Sequence, residues 1–317
     1  TNGSANGTIE IENIGGVTGA TAIGNTSTAT ITLDGTTYTT TGTQTYTAVT
    51  GGGNIDITGT NTTFTTTNSN VAFATSGVDL ANNGTTTINT GAGAGTVSFG
   101  AALESNGGDN DLLVITSGTG DVTFTGAVAG TNALGGLSVN ASSGNGGITF
   151  TSTIGDGDTV GVVGTTAVGN STTTDIDFGA GTYKFNGGTT FTAVSSGTMD
   201  MAAAVTFSTT NDSIEFATAG IALANGANLT IDTGAAAGDI TVGGAITGDS
   251  QETVTLDAGT GTTSVAAIGS STQIGALSIG TSDNGGITLN GAIVTDGAVV
   301  IDGPVTLATG AVSVTTA

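Results

Sequence analysis

The chain has no Cys, His, Trp or Arg, one Pro, and one basic residue, Lys184, in 317 residues. Each absence closes off a class of chemistry. Without Cys there is no disulfide and no thiol nucleophile. Without His or Cys, sites of the zinc type lose their ligands, and neither a Ser-His-Asp nor a Cys-His arrangement can be built. A phosphate-binding P-loop ends in Gly-Lys-Ser/Thr. Lys184 stands instead in Tyr183-Lys184-Phe185, where alternation puts its ammonium on the solvent side of a strand. No apolar run reaches the ~18 residues of a membrane-spanning helix. There is no signal peptide and the first residue is Thr1, which reads as a processed or excised piece of something longer.

Charge is scarce and one-sided. Charged residues make up 8% of the chain, and 24 acids against one base give a net charge of −23. Such a surface repels nucleic acid and has no basic patch for anionic lipid. Its natural small partners are cations, and its charge keeps a β-rich surface soluble.

What remains is Gly (57 residues) and Thr, with 36% apolar residues and a mean hydropathy of +0.26. Disordered chains are poor in β-branched residues and rich in Pro, Glu and Lys; this chain is the opposite. It reads as folded, with a thin core.

The sequence repeats itself. Asn6-Gly7-Thr8-Ile9 returns as Asn145-Gly146-Gly147-Ile148 and as Asn284-Gly285-Gly286-Ile287. Ala22-Ile23-Gly24-Asn25 matches Ala167-Val168-Gly169-Asn170, and Tyr38 matches Tyr183. Val71, Phe73, Gly77, Leu80 and Ile88 match Ile214, Phe216, Gly220, Leu223 and Ile231. Gly118-Thr119-Gly120 matches Gly259-Thr260-Gly261, and Leu137-Ser138-Val139 matches Leu277-Ser278-Ile279. The units run over about 6–144, 145–283 and, in part, 284–317. The offset drifts, so small insertions fall between strands, where loops tolerate them.

Inside each unit, short runs alternate apolar and polar residues: Val122-Thr123-Phe124, Ile148-Thr149-Phe150, Ile176-Asp177-Phe178, Leu229-Thr230-Ile231, Ile240-Thr241-Val242, Val254-Thr255-Leu256 and Ile287-Thr288-Leu289. Period two means a strand with one buried face, and Gly, Asn and Asp punctuate the runs as turns require. No segment carries the helical period.

Two all-β architectures fit: a parallel β-helix (β-solenoid) of stacked short strands, or a tandem of β-sandwiches. The solenoid fits better. A sandwich needs a thick two-layer core, whereas a narrow coil is filled by Val, Ile, Leu, Ala and an occasional Phe, and aromatics are only 4% here. Residues 1–317 then form one continuous solenoid segment of a longer array. With ~20–25 residues per coil the rod would be roughly 60–75 Å long. End coils expose unpaired strand edges, and no capping helix is visible at either end. The caps lie elsewhere, or each end pairs with a further chain.

The run Gly120-Asp121-Val122-Thr123-Phe124-Thr125-Gly126-Ala127-Val128, the run Ala133 to Ala141, and Gly285-Gly286-Ile287-Thr288-Leu289-Asn290-Gly291-Ala292-Ile293 resemble the Gly/Thr-rich repeats of bacterial surface proteins of the filamentous-haemagglutinin and autotransporter-adhesin type. The resemblance extends over nearly the whole chain and is one of composition and rhythm. It implies a right-handed parallel β-helix, export to the cell surface, and a role in adhesion or surface architecture. It brings no catalytic residues.

Carboxylates are the only chemistry-bearing groups in number. Asp175 and Asp177, and Glu10 and Glu12, lie two apart on one strand face, the spacing a β-helical glycosidase would use. With aromatic platforms and bases so scarce, a solvated outer face explains them better, and no enzyme is expected. Calcium is the stronger option, since hard cations take carboxylate and carbonyl oxygens on Gly-rich turns. Asp109 and Asp111, in Gly107-Gly108-Asp109-Asn110-Asp111, and Asp156 and Asp158, in Gly155-Asp156-Gly157-Asp158, are the candidate Ca²⁺ ligands. No cofactor is required. Thr-x-Thr tracts at Thr36 to Thr41 and Thr62 to Thr67 have the look of an ice-binding ladder, but are interrupted; outward Thr as an ordinary β-former accounts for them.

The expectation is a structural repeat segment of a secreted bacterial surface fibre or adhesin stalk. It would partner itself, end to end or laterally, or the neighbouring repeats of a longer chain. The alternative is a Ca²⁺-dependent module binding surface glycans. Nucleic-acid binding and membrane insertion are not expected.

Overall fold

The computed structural model describes residues 7–80, 83–106, 111–156, 161–179, 181–280, 285–308 and 312–316. Among these there is no helix, and every strand pairing is parallel. The chain is a β-solenoid of about a dozen turns. Each turn visits three faces in order. Face I begins with Thr8–Ile11, face II with Ile14–Val17 and face III with Thr21–Gly24; the next turn restarts at Thr30–Leu33 on face I.

Face II is one unbroken sheet of thirteen strands, from Ile14–Val17 to Val305–Leu307. At ~4.8 Å between strands that is roughly 58 Å of axis, just short of the length expected from sequence. On face I the ladder narrows to single bridges, Leu103 to Val128 to Ile154 to Tyr183, between a five-stranded and a six-stranded sheet. A turn takes 22 residues where Thr8 pairs with Thr30 and 29 where Ile154 pairs with Tyr183.

Alternation decides what is inside. In Val122–Phe124, Ile148–Phe150 and Ile176–Phe178 the outer two residues are buried and the middle one faces out. Parallel, in-register stacking puts like over like. On face III, Tyr46, Phe73, Phe99, Phe124, Phe150 and Phe178 stack through six successive turns, with ring centroids 5.0–5.8 Å apart. Met201 and Leu223 continue the row in aliphatic form.

The corners are tight. Gly120 is one: a Cβ there would lie 2.2 Å from the carbonyl oxygen of Gly95 in the turn before, and a Cβ on Gly146 would lie 2.0 Å from that of Gly120. Only hydrogen fits where backbone stacks on backbone this closely.

The 139–145-residue sequence repeat does not coincide with a whole number of turns. Val71–Phe73 lies on face III, and its match Ile214–Ala217 on face II. Gly77–Leu80 is on face I and Gly220–Leu223 on face III; Ile88 is on face II and Ile231 on face I. The opening motif sits on face I at Ile9, face III at Ile148 and face II at Ile287. Every match steps back one face, so a repeat spans five and two-thirds turns, and equivalent features wind around the rod by a third of a turn per copy. The local structure travels with them. Asn25 donates its N–H to Thr28 Oγ1 (3.1 Å) and accepts from Ser27 N–H (2.8 Å). At the corner one face back, Asn170 donates to Thr173 Oγ1 (3.0 Å) and accepts from Thr172 N–H (2.8 Å). Tyr38 stacks on Phe64 at 4.9 Å, and its equivalent Tyr183 on Phe207 at 5.2 Å.

All three tyrosines of the chain are fully buried. Tyr38 donates its hydroxyl to Ile11 O (2.8 Å). Burial pushes its phenol up from 10.0 to about 12, against the Gly35 N–H that favours the phenolate. Burial also pushes Tyr46 and Tyr183 up. A raised pKa stabilises the fold below pH 10 and loses that contribution as pH rises through the folded value. An alkaline titration followed by phenolate absorbance is therefore expected to show no tyrosinate near pH 10. The signal should appear only toward pH 12, together with loss of the β-sheet circular dichroism. Titration of one or more tyrosines at pH 10 in folded protein would contradict the burial.

Candidate functional site

The expected calcium ligands are not brought together as a set. Asp109 and Asp158 lie outside the described residues. Asp111 has no exposed surface: its Oδ2 accepts Ser105 Oγ (2.7 Å) and its Oδ1 the N–H of Gly84 (3.4 Å). Its carboxylate is used inside the coil. Asp156 is exposed, two residues past the face I bridge at Ile154. Among the described residues no group of three or more His, Cys, Asp or Glu could hold a metal ion.

Stacking assembles a different arrangement, rows of outward carboxylates on neighbouring turns. On face I, Glu10, Thr32, Asp56, Asp79 and Glu104 occupy one row. On face III, Thr123, Thr149, Asp177 and Asp200 do the same. Asp177, expected to pair with Asp175, therefore also has Asp200 directly beside it one turn on. Glu12 follows the first strand in an exposed bend and joins no row. Lys184 faces outward, register partner to Ser208. Asp56 and Asp79 come from Asn54-Ile55-Asp56-Ile57 and Gly77-Val78-Asp79-Leu80. Both show the same alternation, a visible signal once the turn length is known.

Like charges directly opposite across a ladder disfavour ionisation. Partial burial and then the charge of Asp79 raise Asp56; partial burial raises Asp79, whose Oδ2 accepts Asn54 Nδ2–H at 2.5 Å. Partial burial also raises Asp177, helped by Asp200, Asp175 and Asp121 and opposed by the Thr149 hydroxyl (3.2 Å). A carboxyl raised on folding destabilises the ionised protein, and that penalty disappears as pH falls through the raised pKa. Asp56→Asn is therefore expected to raise stability at pH 7 by a few tenths of a kcal/mol. The gain should vanish by about pH 3, below the ordinary Asp value, where the side chain is protonated in the folded and the unfolded chain alike. Parallel thermal melts at the two pH values check this; a destabilised Asp56→Asn at pH 7 would contradict it.

Two glutamates act as latches on corners, Glu252 from within the coil and Glu104 from the outer row of face I. Glu252, wholly buried, accepts Gly226 N–H on Oε1 (3.0 Å) and the N–H groups of Asp249 (2.7 Å) and Gln251 (3.3 Å) on Oε2. Glu104 accepts Gly130 N–H on Oε1 (3.1 Å), and Thr131 (3.0 Å) and Asn132 (2.9 Å) on Oε2. Each carboxylate fills a cradle of convergent backbone amides. The sequence gives no hint of them: nothing in Ser250-Gln251-Glu252 separates a latch from a surface acid.

The grooves on the rod are shallow. One, of about 520 Å³, is lined by Gly51, Gly52, Gly53, Asn54 and Asp56. The arrangement thus offers rows of negative charge, hydroxyls and small side chains over the length of a rod. The chain matches no protein-family model, no curated protein and no solved structure.

Proposed function

We propose that this chain is a rod-forming segment of a secreted bacterial surface fibre or adhesin stalk, extended by further coils of the same kind stacked at its ends. The observation that supports this reading best is the unbroken thirteen-strand sheet of face II. Its coils keep one three-faced cross-section and one continuous core from end to end. Such a fold builds length, with each turn contacting only its neighbours. The outward positions are dominated by Thr, Ser and Gly. Four exposed large apolar residues stand in register with buried residues at the end coils: Val17 in the first, and Val305, Leu307 and Val314 in the last. A further coil, of the same chain or another, would bury them and pair the open strand edges.

The test has two arms. Electron microscopy of the purified chain is expected to give straight rods of uniform width, some joined end to end. Antibody raised against the chain should label intact, unpermeabilised cells that produce it, along fibres. Compact particles, or label that enters only after lysis, would overturn the reading.

A further inference from the structure

Face II differs from its neighbours in charge. Over seven consecutive strands, from Thr37–Thr40 to Thr189–Thr192, no outward residue is ionisable. The outward side chains are Thr37 and Thr39, Thr63 and Thr65, Thr85, Thr87 and Asn89, then Leu112, Val114 and Thr116, Ser138, Ala167, and Thr190 and Thr192. The next strand restores charge with Glu215. On a molecule with net charge −23, the acids among the described residues stay at the edges of this strip, at Asp34, Asp121 and Asp175 and at the inward-turned Asp111, or on the other faces.

At the middle of the strip, on the fourth of the seven strands, lies Leu112, 42% exposed. Away from the end coils it is the single large exposed apolar residue among those described. Its side chain leans over Gly136, its register partner on the next turn, with Cδ2 2.7 Å from where a Cβ would stand. Beside it an apolar notch is lined by Val114, Ser138, Thr165 and Ala167. A projecting apolar side chain beside an apolar notch is self-complementary: a twofold axis through the strip lets each copy's Leu112 enter the other's notch.

We infer that this strip is a self-association surface, on which two copies pack face to face around Leu112. A second copy fits better than an unrelated partner for two reasons. A basic partner would go to the carboxylate rows of faces I and III. Two polyanionic rods can approach closely only where neither presents charge. Six steps of ~4.8 Å and a strand of ~13 Å give about 380 Å² per copy, or about 750 Å² in all. That is below the ~1,200 Å² of stable complexes, so the pairing is reversible and depends on concentration. Residual repulsion from the strip's edges makes it stronger in high salt. The inference uses only the face itself and stands whether or not the chain is exported.

Sedimentation equilibrium of the full chain over a concentration series tests it. The mass is expected to rise from 29.9 kDa toward twice that, and further with added salt. Leu112→Glu should weaken pairing at least about tenfold with an unchanged melting temperature, whereas Thr123→Glu on face III should not. If Leu112→Glu melts early, Ser138→Glu on the adjacent turn repeats the test. The chain has no Cys, so oxidised Leu112→Cys should form a disulfide-linked dimer at least about tenfold faster than Thr123→Cys. End-to-end stacking cannot bring two copies of residue 112 together. A constant 29.9 kDa at all concentrations, pairing that survives both charge substitutions, or equal cross-linking of the two Cys variants overturns the inference.

Discussion

Replacing Phe124 with Ala is expected to cost about 3–5 kcal/mol of stability. Phe124 is 1% exposed. Its ring stacks on Phe99 at 5.2 Å and on Phe150 at 5.0 Å, with interplanar angles of 2° and 3°. The substitution removes a buried ring and two stacked contacts of about 0.5–1.5 kcal/mol each. The cavity cannot close, because main-chain bonds fix the strands of Val97–Phe99 and Ile148–Phe150 on either side. Phe124→Leu should recover most of the loss. Thr123→Ala, one residue away but outward, should change stability by less than about 0.5 kcal/mol. Urea unfolding of the three variants measures all of this; equal losses at positions 123 and 124 would mean that the inside of the coil is wrongly identified.

Glu252→Gln is expected to cost about 2–3 kcal/mol at pH 7, and its pH dependence carries the sharper information. Burial pushes the Glu252 carboxyl up. Hydrogen bonds with the Asp249 carboxyl and with backbone N–H groups, those of Asp249 and Gly226 among them, outweigh this and hold it at about 2 against an ordinary 4.5. The Asp249 carboxyl is correspondingly raised, first by its hydrogen bond to Glu252. A carboxyl lowered on folding stabilises the native state fully above pH 4.5 and loses that contribution as pH falls toward 2. Gln offers one acceptor oxygen in place of two, and points an NH₂ at amides that are themselves donors. The acid limb of the stability profile between pH 4.5 and 2 should therefore flatten in Glu252→Gln. Asp56, Asp79 and Asp177 act with the opposite sign, so the wild-type chain should be most stable at mildly acidic pH. A variant whose stability runs parallel to wild type across that range would contradict the latch.

The period-two runs, such as Val122–Phe124 and Leu229–Ile231, gave strand positions and inward faces directly, because burial in a half-covered strand follows from alternation alone. The repeat was also legible, but its relation to the turn was not. Turn length varies from 18 residues at Ile287 to 29 at Ile154, as corners absorb insertions without disturbing the ladders. Residue offset therefore does not reveal which strands stack, nor that Val71–Phe73 and Ile214–Ala217 lie on different faces. The same gap explains the site. Asp175 and Asp177 were visible as sequence neighbours, whereas Asp177 beside Asp200 and Asp56 beside Asp79 depend on register. Asp111 read as a turn acid available to a cation; the structure turns it inward onto Ser105 and Gly84, a direction that spacing does not encode.

Parallel stacking is tested most directly by distances along one outward row. Thr45, Ser98, Thr149, Asp200 and Thr247 lie on face III, each two turns beyond the last. Single Cys substitutions carry spin labels cleanly in a chain with no Cys of its own. Pulsed electron paramagnetic resonance from position 45 to the other four should give steps of equal size, about 10, 19, 29 and 38 Å. Distances that fold back, with position 149 or 200 nearer to 45 than position 98 is, would mean antiparallel sheets in separate domains and would contradict the solenoid.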